Sequence, residues 1–115
     1  MIKRGEVWLA KFNPQRGTES GKTRPVLIIQ RQALLNAGHP STVIIPLTTN
    51  LIDGAEPMRI RVRASGRLRR DSDLMVDQIR AIDNRRLLDG PLIALDEEAM
   101  LRVARSLNQV LCVTN

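Results

Sequence analysis

The chain is poor in the residues that most often carry chemistry. Among its 115 residues there is one cysteine (Cys112), one histidine (His39), one tryptophan (Trp8), one phenylalanine (Phe12) and no tyrosine. A single cysteine excludes an intramolecular disulfide and a thiolate metal cage, and it fits a reducing, cytoplasmic setting. A single histidine excludes a two-histidine acid–base pair within one chain. His39 lies between Gly38 and Pro40 and reads as a loop residue. Cys112 has no histidine near it in sequence, which argues against a thiol nucleophile. No run of about 18 apolar residues occurs, so no membrane span is expected. Residues 1–6 also lack the apolar core of a signal peptide. Carboxylates are not grouped as metal hydrolysis needs. Asp71 and Asp73 read as turn residues and Glu97-Glu98 as a helix start, so neither metal nor other cofactor is expected. Gly17-x-x-x-Gly21-Lys22-Thr23 has one residue too few between its glycines for a phosphate-binding loop, and it precedes a strand where such a loop opens a helix.

Acid is also in deficit: 12 carboxylates face 18 basic residues, 15 of them arginine. The planar guanidinium fork matches phosphate oxygens through two parallel hydrogen bonds. An arginine-biased excess therefore points to nucleic acid more than a lysine excess would. A solvated basic surface is the plainer alternative.

The length suggests one domain, spanning 1–115. Val7 to Phe12 alternates as a strand, with Val7, Leu9 and Lys11 on one side and Trp8, Ala10 and Phe12 on the other. A long loop, 15–23, leads into a second strand at about 24–31. Val26-Leu27-Ile28-Ile29 is too apolar for a half-exposed strand and reads as buried on both faces. Pro25, without an N–H, is expected at the first position of that strand, and it biases Arg24 toward extended backbone. Gln32 to Ala37 is expected to form a helical turn or two. Thr42 to Thr49 reads as a third strand running through Pro46. Next comes strict alternation: Met58, Ile60 and Val62 on a buried face, Arg59, Arg61 and Arg63 on the other. Like charges on one face repel. Either an anion or facing carboxylates relieve this row, or the row blunts an edge strand. Leu74 to Asp83 reads as one strand interrupted by Asp77, Gln78 and Arg80. Burying Asp77-Gln78 there is costly unless they are hydrogen-bonded or line a site. Asn84 to Leu88 suggests a helical turn and Leu92 to Ala94 a short strand. The last element is an amphipathic helix. Asp96 is its N-cap, and Met100, Val103, Ala104, Leu107, Val110 and Leu111 form its apolar stripe. The fold class is mainly β with short helices: a small antiparallel barrel or compact sheet with a C-terminal helix.

The residues left for chemistry are Glu19, Arg24, Thr48, Asp77 and Gln78. RNA cleavage by 2′-hydroxyl attack needs no metal. It needs a group to take the 2′ proton, one to protonate the departing 5′ oxygen, and positive charge on the phosphate. Arginine suits the last role, and a threonine hydroxyl can bond a phosphate oxygen.

Four blocks resemble the MazF/PemK toxin family: Arg4-Gly5-Glu6-Val7-Trp8, Gly17 to Leu27, Pro46-Leu47-Thr48-Thr49, and Asp77 to Asp83. They occur in the family's order, and the similarity runs over essentially the whole chain. The resemblance implies an SH3-like, PemK-like barrel acting as a homodimer. It implies a metal-independent endoribonuclease that cuts single-stranded RNA at short sequences, leaving 2′,3′-cyclic phosphate and 5′-hydroxyl ends. It also implies a MazE-like antitoxin partner with an acidic tail. Arg24 and Thr48 fall on the family's catalytic positions. Glu19, Thr18, Lys22, Thr49, Asp77 and Gln78 fall along its RNA groove. One branch of the family carries a histidine and an arginine where this chain has Thr18 and Met75, so that branch's acid–base scheme does not transfer. Two other readings compete: a gyrase poison of the same fold acting through its last helix, and a non-catalytic RNA-binding module. The second would want stacking aromatics, and only Trp8 and Phe12 are available.

Overall fold

A computed structural model describes residues 1–12 and 22–114. Seven strands and two helices follow in order: β1 Glu6–Lys11, β2 Thr23–Ile28, α1 Gln32–Asn36, β3 Ser41–Thr48, β4 Arg59–Val62, β5 Ser72–Met75, β6 Arg80–Asp83, β7 Leu87–Ala94 and α2 Glu97–Leu111. All pairings are antiparallel, in the order β4-β5-β3-β2-β1-β7, with β6 also on β3.

The long strand β3 is the hub. It pairs with β2 through Ile44 to Pro46, while its other partners change along its length: β6 at Ser41 to Ile44, then β5 at Leu47 and Thr48. Pro46 falls in the gap between the β6 and β5 ladders, where a residue without an N–H is tolerated. The sheet curls until its ends meet. The turn after β4 donates the Arg67 N–H to the Leu92 carbonyl of β7 at 3.1 Å. Gly66 makes this approach possible: a Cβ there would lie 3.2 Å from the Leu92 oxygen, and its φ of +51° disfavours other residues.

Alternation splits the core in two. Val7, Leu27, Ile45, Leu47, Ile60 and Leu74 face a larger core completed by Met100 and Val103 of α2. Ala10, Val26, Ile28, Ile44 and Ile82 form a smaller core on the opposite face, flanked by Trp8, Phe12 and Leu35. The β2 run is thus buried on both sides, as its composition requires. Helix α2 starts where expected, the Asp96 carboxylate accepting the Ala99 N–H at 2.8 Å. It ends at Cys112, which holds a left-handed φ of +55°.

Several expectations need correction. Leu74 to Asp83 is two strands joined by a 3-10 turn, Val76–Gln78, both lying along one edge of β3. Val76 goes into the core, and Asp77 and Gln78 are exposed, so the cost of burying them does not arise. Strand β2 begins at Thr23, which makes Pro25 its third residue; β3 joins β2 only from Val26 onward. The last strand is eight residues long, not three, because β1 lies alongside it. Met58 precedes β4 and is exposed. On α2, Ala104 and Leu111 face outward, and Ser106 is buried instead.

Candidate nucleic-acid site

The site is built from three parts of the sheet. Strand β2 brings Arg24, held extended before Pro25 and paired across β1 with Ala10. Strand β3 brings Pro46. The β5–β6 connection brings Met75, Gln78 and Arg80. Together with Phe12 and Lys22 these residues line a cleft of about 220 Å³. Its floor is apolar, from Pro46, Met75 and Phe12, and its rim is cationic. The Arg80 guanidinium stands over the Phe12 ring, 5.3 Å from the centroid. That pairing of ring and flat cation suits the π face of a base.

The basic residues divide into those already paired with a carboxylate and those that are not, and the cleft holds three of the second kind. Arg59, Arg61, Arg67, Arg85 and Arg102 all pair with carboxylates. Lys22, Arg24 and Arg80 have no ion pair among the described residues. Cations gathered without a counter-ion raise the local potential and attract an anion. Among the described residues no group of histidine, cysteine, aspartate or glutamate could hold a metal ion.

Of the residues singled out in the sequence, Lys22, Arg24 and Gln78 share this cleft. Thr48 lies on the same face of β3 as Pro46, two residues further on, where the strand has turned to pair Asp73. Continuing the β2–β3 register past Val26 and Pro46 leads to Arg24 on one strand and Thr48 on the other. The Thr48 hydroxyl oxygen accepts the Asn50 N–H at 3.1 Å. That bond uses a lone pair and leaves the hydroxyl proton able to donate. Thr48, Thr49 and Asp77 do not line the cleft, and the last two are exposed. Thr18 and Glu19 lie outside the described residues. Phe12 and Arg80 were not singled out for the site. Their signal was present as a lone aromatic at the end of β1 and a basic residue breaking the apolar run of residues 74–83.

The Arg59/Arg61 row faces carboxylates. Arg61 reaches Asp73 at 2.6 Å and Asp53 at 2.8 Å, and Arg59 reaches Asp73 at 3.5 Å. Asp73 is not a turn residue: it is buried in mid-strand. Burial pushes its carboxyl up, but the Arg61 hydrogen bond, the Ile52 N–H and the two guanidinium charges outweigh that and hold it below its ordinary value.

Fold and cleft together define a small curled β protein with a cationic, base-sized recess. Residues 3–111 match the family described as the PemK-like, MazF-like toxin of type II toxin-antitoxin systems, and the chain belongs to that family. It is 33% identical over 116 residues to the endoribonuclease MazF of Staphylococcus epidermidis, covering 100% of this chain and 95% of that protein. It is 34% identical to the endoribonuclease EndoA of Bacillus subtilis strain 168, covering 93% and 91% of the two chains. Among solved structures, MazE-MazF from Deinococcus radiodurans superposes with a TM-score of 0.80 at 22% identity, over 98% of this chain and 97% of that one. An endoribonuclease in complex with its cognate antitoxin, from a mycobacterial species, superposes at 0.76 with 21% identity, over 100% and 99%. At these identities the solved structures establish the fold.

Proposed function

We propose that the chain is a toxin endoribonuclease that cuts single-stranded RNA without a metal, at Arg24 and Thr48. The supporting observation is the cleft that joins Arg24, which has no ion pair among the described residues, to Lys22, Gln78 and the Arg80–Phe12 pair. Family membership and the relatives' names support the same reading. In the reaction the 2′ oxygen attacks phosphorus and gives up its proton to a base. The bond from phosphorus to the 5′ oxygen breaks, and that oxygen takes a proton. The products are a 2′,3′-cyclic phosphate and a 5′-hydroxyl end, with no water consumed.

Arg24 supplies charge and two N–H donors to phosphate oxygens whose negative charge grows in the transition state. Its position on a rigid strand means little reorganisation is needed. Thr48 donates its hydroxyl proton to a further phosphate oxygen. Lys22, Gln78, Asp77 and Thr49, with Thr18 and Glu19, border the strand of RNA, and Arg80 with Phe12 receives a base. The working unit is a homodimer in the cytoplasm, neutralised by a MazE-like antitoxin whose acidic tail competes for the same cations.

The test is cleavage of a long single-stranded RNA in excess EDTA, with the 5′ ends mapped. Discrete cuts with 5′-hydroxyl ends are expected, falling by about a hundredfold or more in Arg24→Ala. Cuts that survive in Arg24→Ala at the wild-type rate would refute the assignment.

A further inference from the structure

The proposed chemistry leaves one polar lattice unused. Its centre is Asp73, only 1% exposed, in a strand whose four residues are all buried. One carboxylate oxygen accepts from Arg61 Nε at 2.6 Å. The other accepts the Ile52 N–H at 2.9 Å and Arg59 Nη1 at 3.5 Å. Arg61 Nη2 also donates to Asp53 at 2.8 Å, and Arg59 Nη1 to the Asn50 carbonyl at 3.2 Å. One buried carboxylate therefore fixes three points of the segment 50–53.

That segment leaves directly from Thr48. The Asn50 N–H is bonded to the Thr48 hydroxyl oxygen, and Asp73 is the β5 partner of Thr48. Apolar burial does little to anchor the segment. Leu51 is 40% and Ile52 49% exposed. A cavity of about 170 Å³ is bounded by Ile52, Asp53 and Gly54 on one side and Arg59, Arg61 and Asp73 on the other.

We propose that Asp73 is a positioning residue: acting through Arg59 and Arg61, it holds Asn50 to Asp53 and the Thr48 hydroxyl in one arrangement, and so selects which RNA sequence seats there. The selection half rests on the activity proposed above. Buried ion pairs are weak sources of stability, and apolar replacements of similar volume are often neutral or better. A fully satisfied network does, however, fix a single arrangement of the groups it joins.

Three proteins test this: wild type, Asp73→Ala, and the apolar pair Asp73→Leu with Arg61→Met. Each is melted, its Ile52 amide exchange is measured, and its cut sites on a long single-stranded RNA are mapped. The apolar pair is expected to melt close to wild type. In both variants Ile52 exchange should accelerate about tenfold or more. The preferred cut should slow about tenfold or more, and new sequences should be cut. Unchanged Ile52 exchange in Asp73→Ala overturns the anchoring role. A wild-type cut pattern that returns in the apolar pair along with the melting temperature makes Asp73 merely structural. A wild-type protein that cuts no RNA refutes the activity and selection with it, while the exchange rates still decide the anchoring.

Discussion

Gly90 and Trp8 offer a stringent test of the packing between β1 and β7. The β1–β7 register shifts on either side of Leu9, and the Trp8 indole lies against the Gly90 backbone. A Cβ at Gly90 would sit 2.4 Å from Trp8 Cδ2, 2.6 Å from Cγ and 2.8 Å from Cε2. Gly90 does not hold a positive φ, so the left-handed strain that favours glycine elsewhere is absent there. The indole must move. Its Nε1–H donates to Glu6 at 3.0 Å, and the same carboxylate oxygen accepts the Lys3 N–H at 2.9 Å. Overpacking of this kind costs about 1–3 kcal/mol, and loss of the indole bond adds about 1 kcal/mol. Gly90→Ala should therefore destabilise by about 2–4 kcal/mol, a fall in melting temperature of roughly 10 °C. Trp8 is the only tryptophan, so its fluorescence reports both the melt and the displaced ring. In a Trp8→Leu background the same substitution should cost less than half as much, because the ring that clashes is gone. A Gly90→Ala protein melting within a couple of degrees of wild type, or an equal cost in the leucine background, would refute the reasoning.

Other perturbations have definite signs. Arg80→Ala should weaken binding of single-stranded RNA by about tenfold and lower the slope of affinity against salt by about one ion, measured by fluorescence anisotropy at several salt concentrations; an unchanged salt slope would place Arg80 outside the contact. Stability should fall as the pH drops below about 4. The Arg85 side chain and N–H hold the Asp83 carboxyl at about 2, against an ordinary 3.8, and Asp73 is also held low. A depressed folded-state pKa stabilises the protein above the unfolded value, and that contribution is lost as the unfolded state takes up protons first. Asp83→Asn should flatten the fall in urea midpoint between pH 4 and about 2, and an unaltered profile would contradict the assignment. Leu27→Ala, at a fully buried position in the larger core, should cost about 3–4 kcal/mol by urea denaturation.

Local signals carried much of the architecture. The apolar run after Pro25 requires a strand with two covered faces, and β2 has them, because two cores flank it. The Asp96 cap and the apolar period after it set the start and inward face of α2. Of the Arg24-Pro25-Val26 and Pro46-x-Thr48-Thr49 blocks, Arg24 and Pro46 line the cleft. Where local pattern failed, tertiary geometry was the cause. A ten-residue stretch with a strand-like composition is cut at Val76 to Gln78 because β3 offers two ladders with a turn between them. The Arg59/Arg61 row could not be assigned from its own strand, since its partner is a buried aspartate on the neighbouring one. Arg80 meets Phe12 although β3 and β2 lie between their strands in the hydrogen-bonded order, a meeting that no local pattern encodes. Periodicity and capping are properties of a few neighbouring residues, and the sequence by itself determined those. Register and the meeting of distant charges depend on which strands pair, so only the tertiary structure decided that Lys22, Arg24, Gln78 and Arg80 share one cleft.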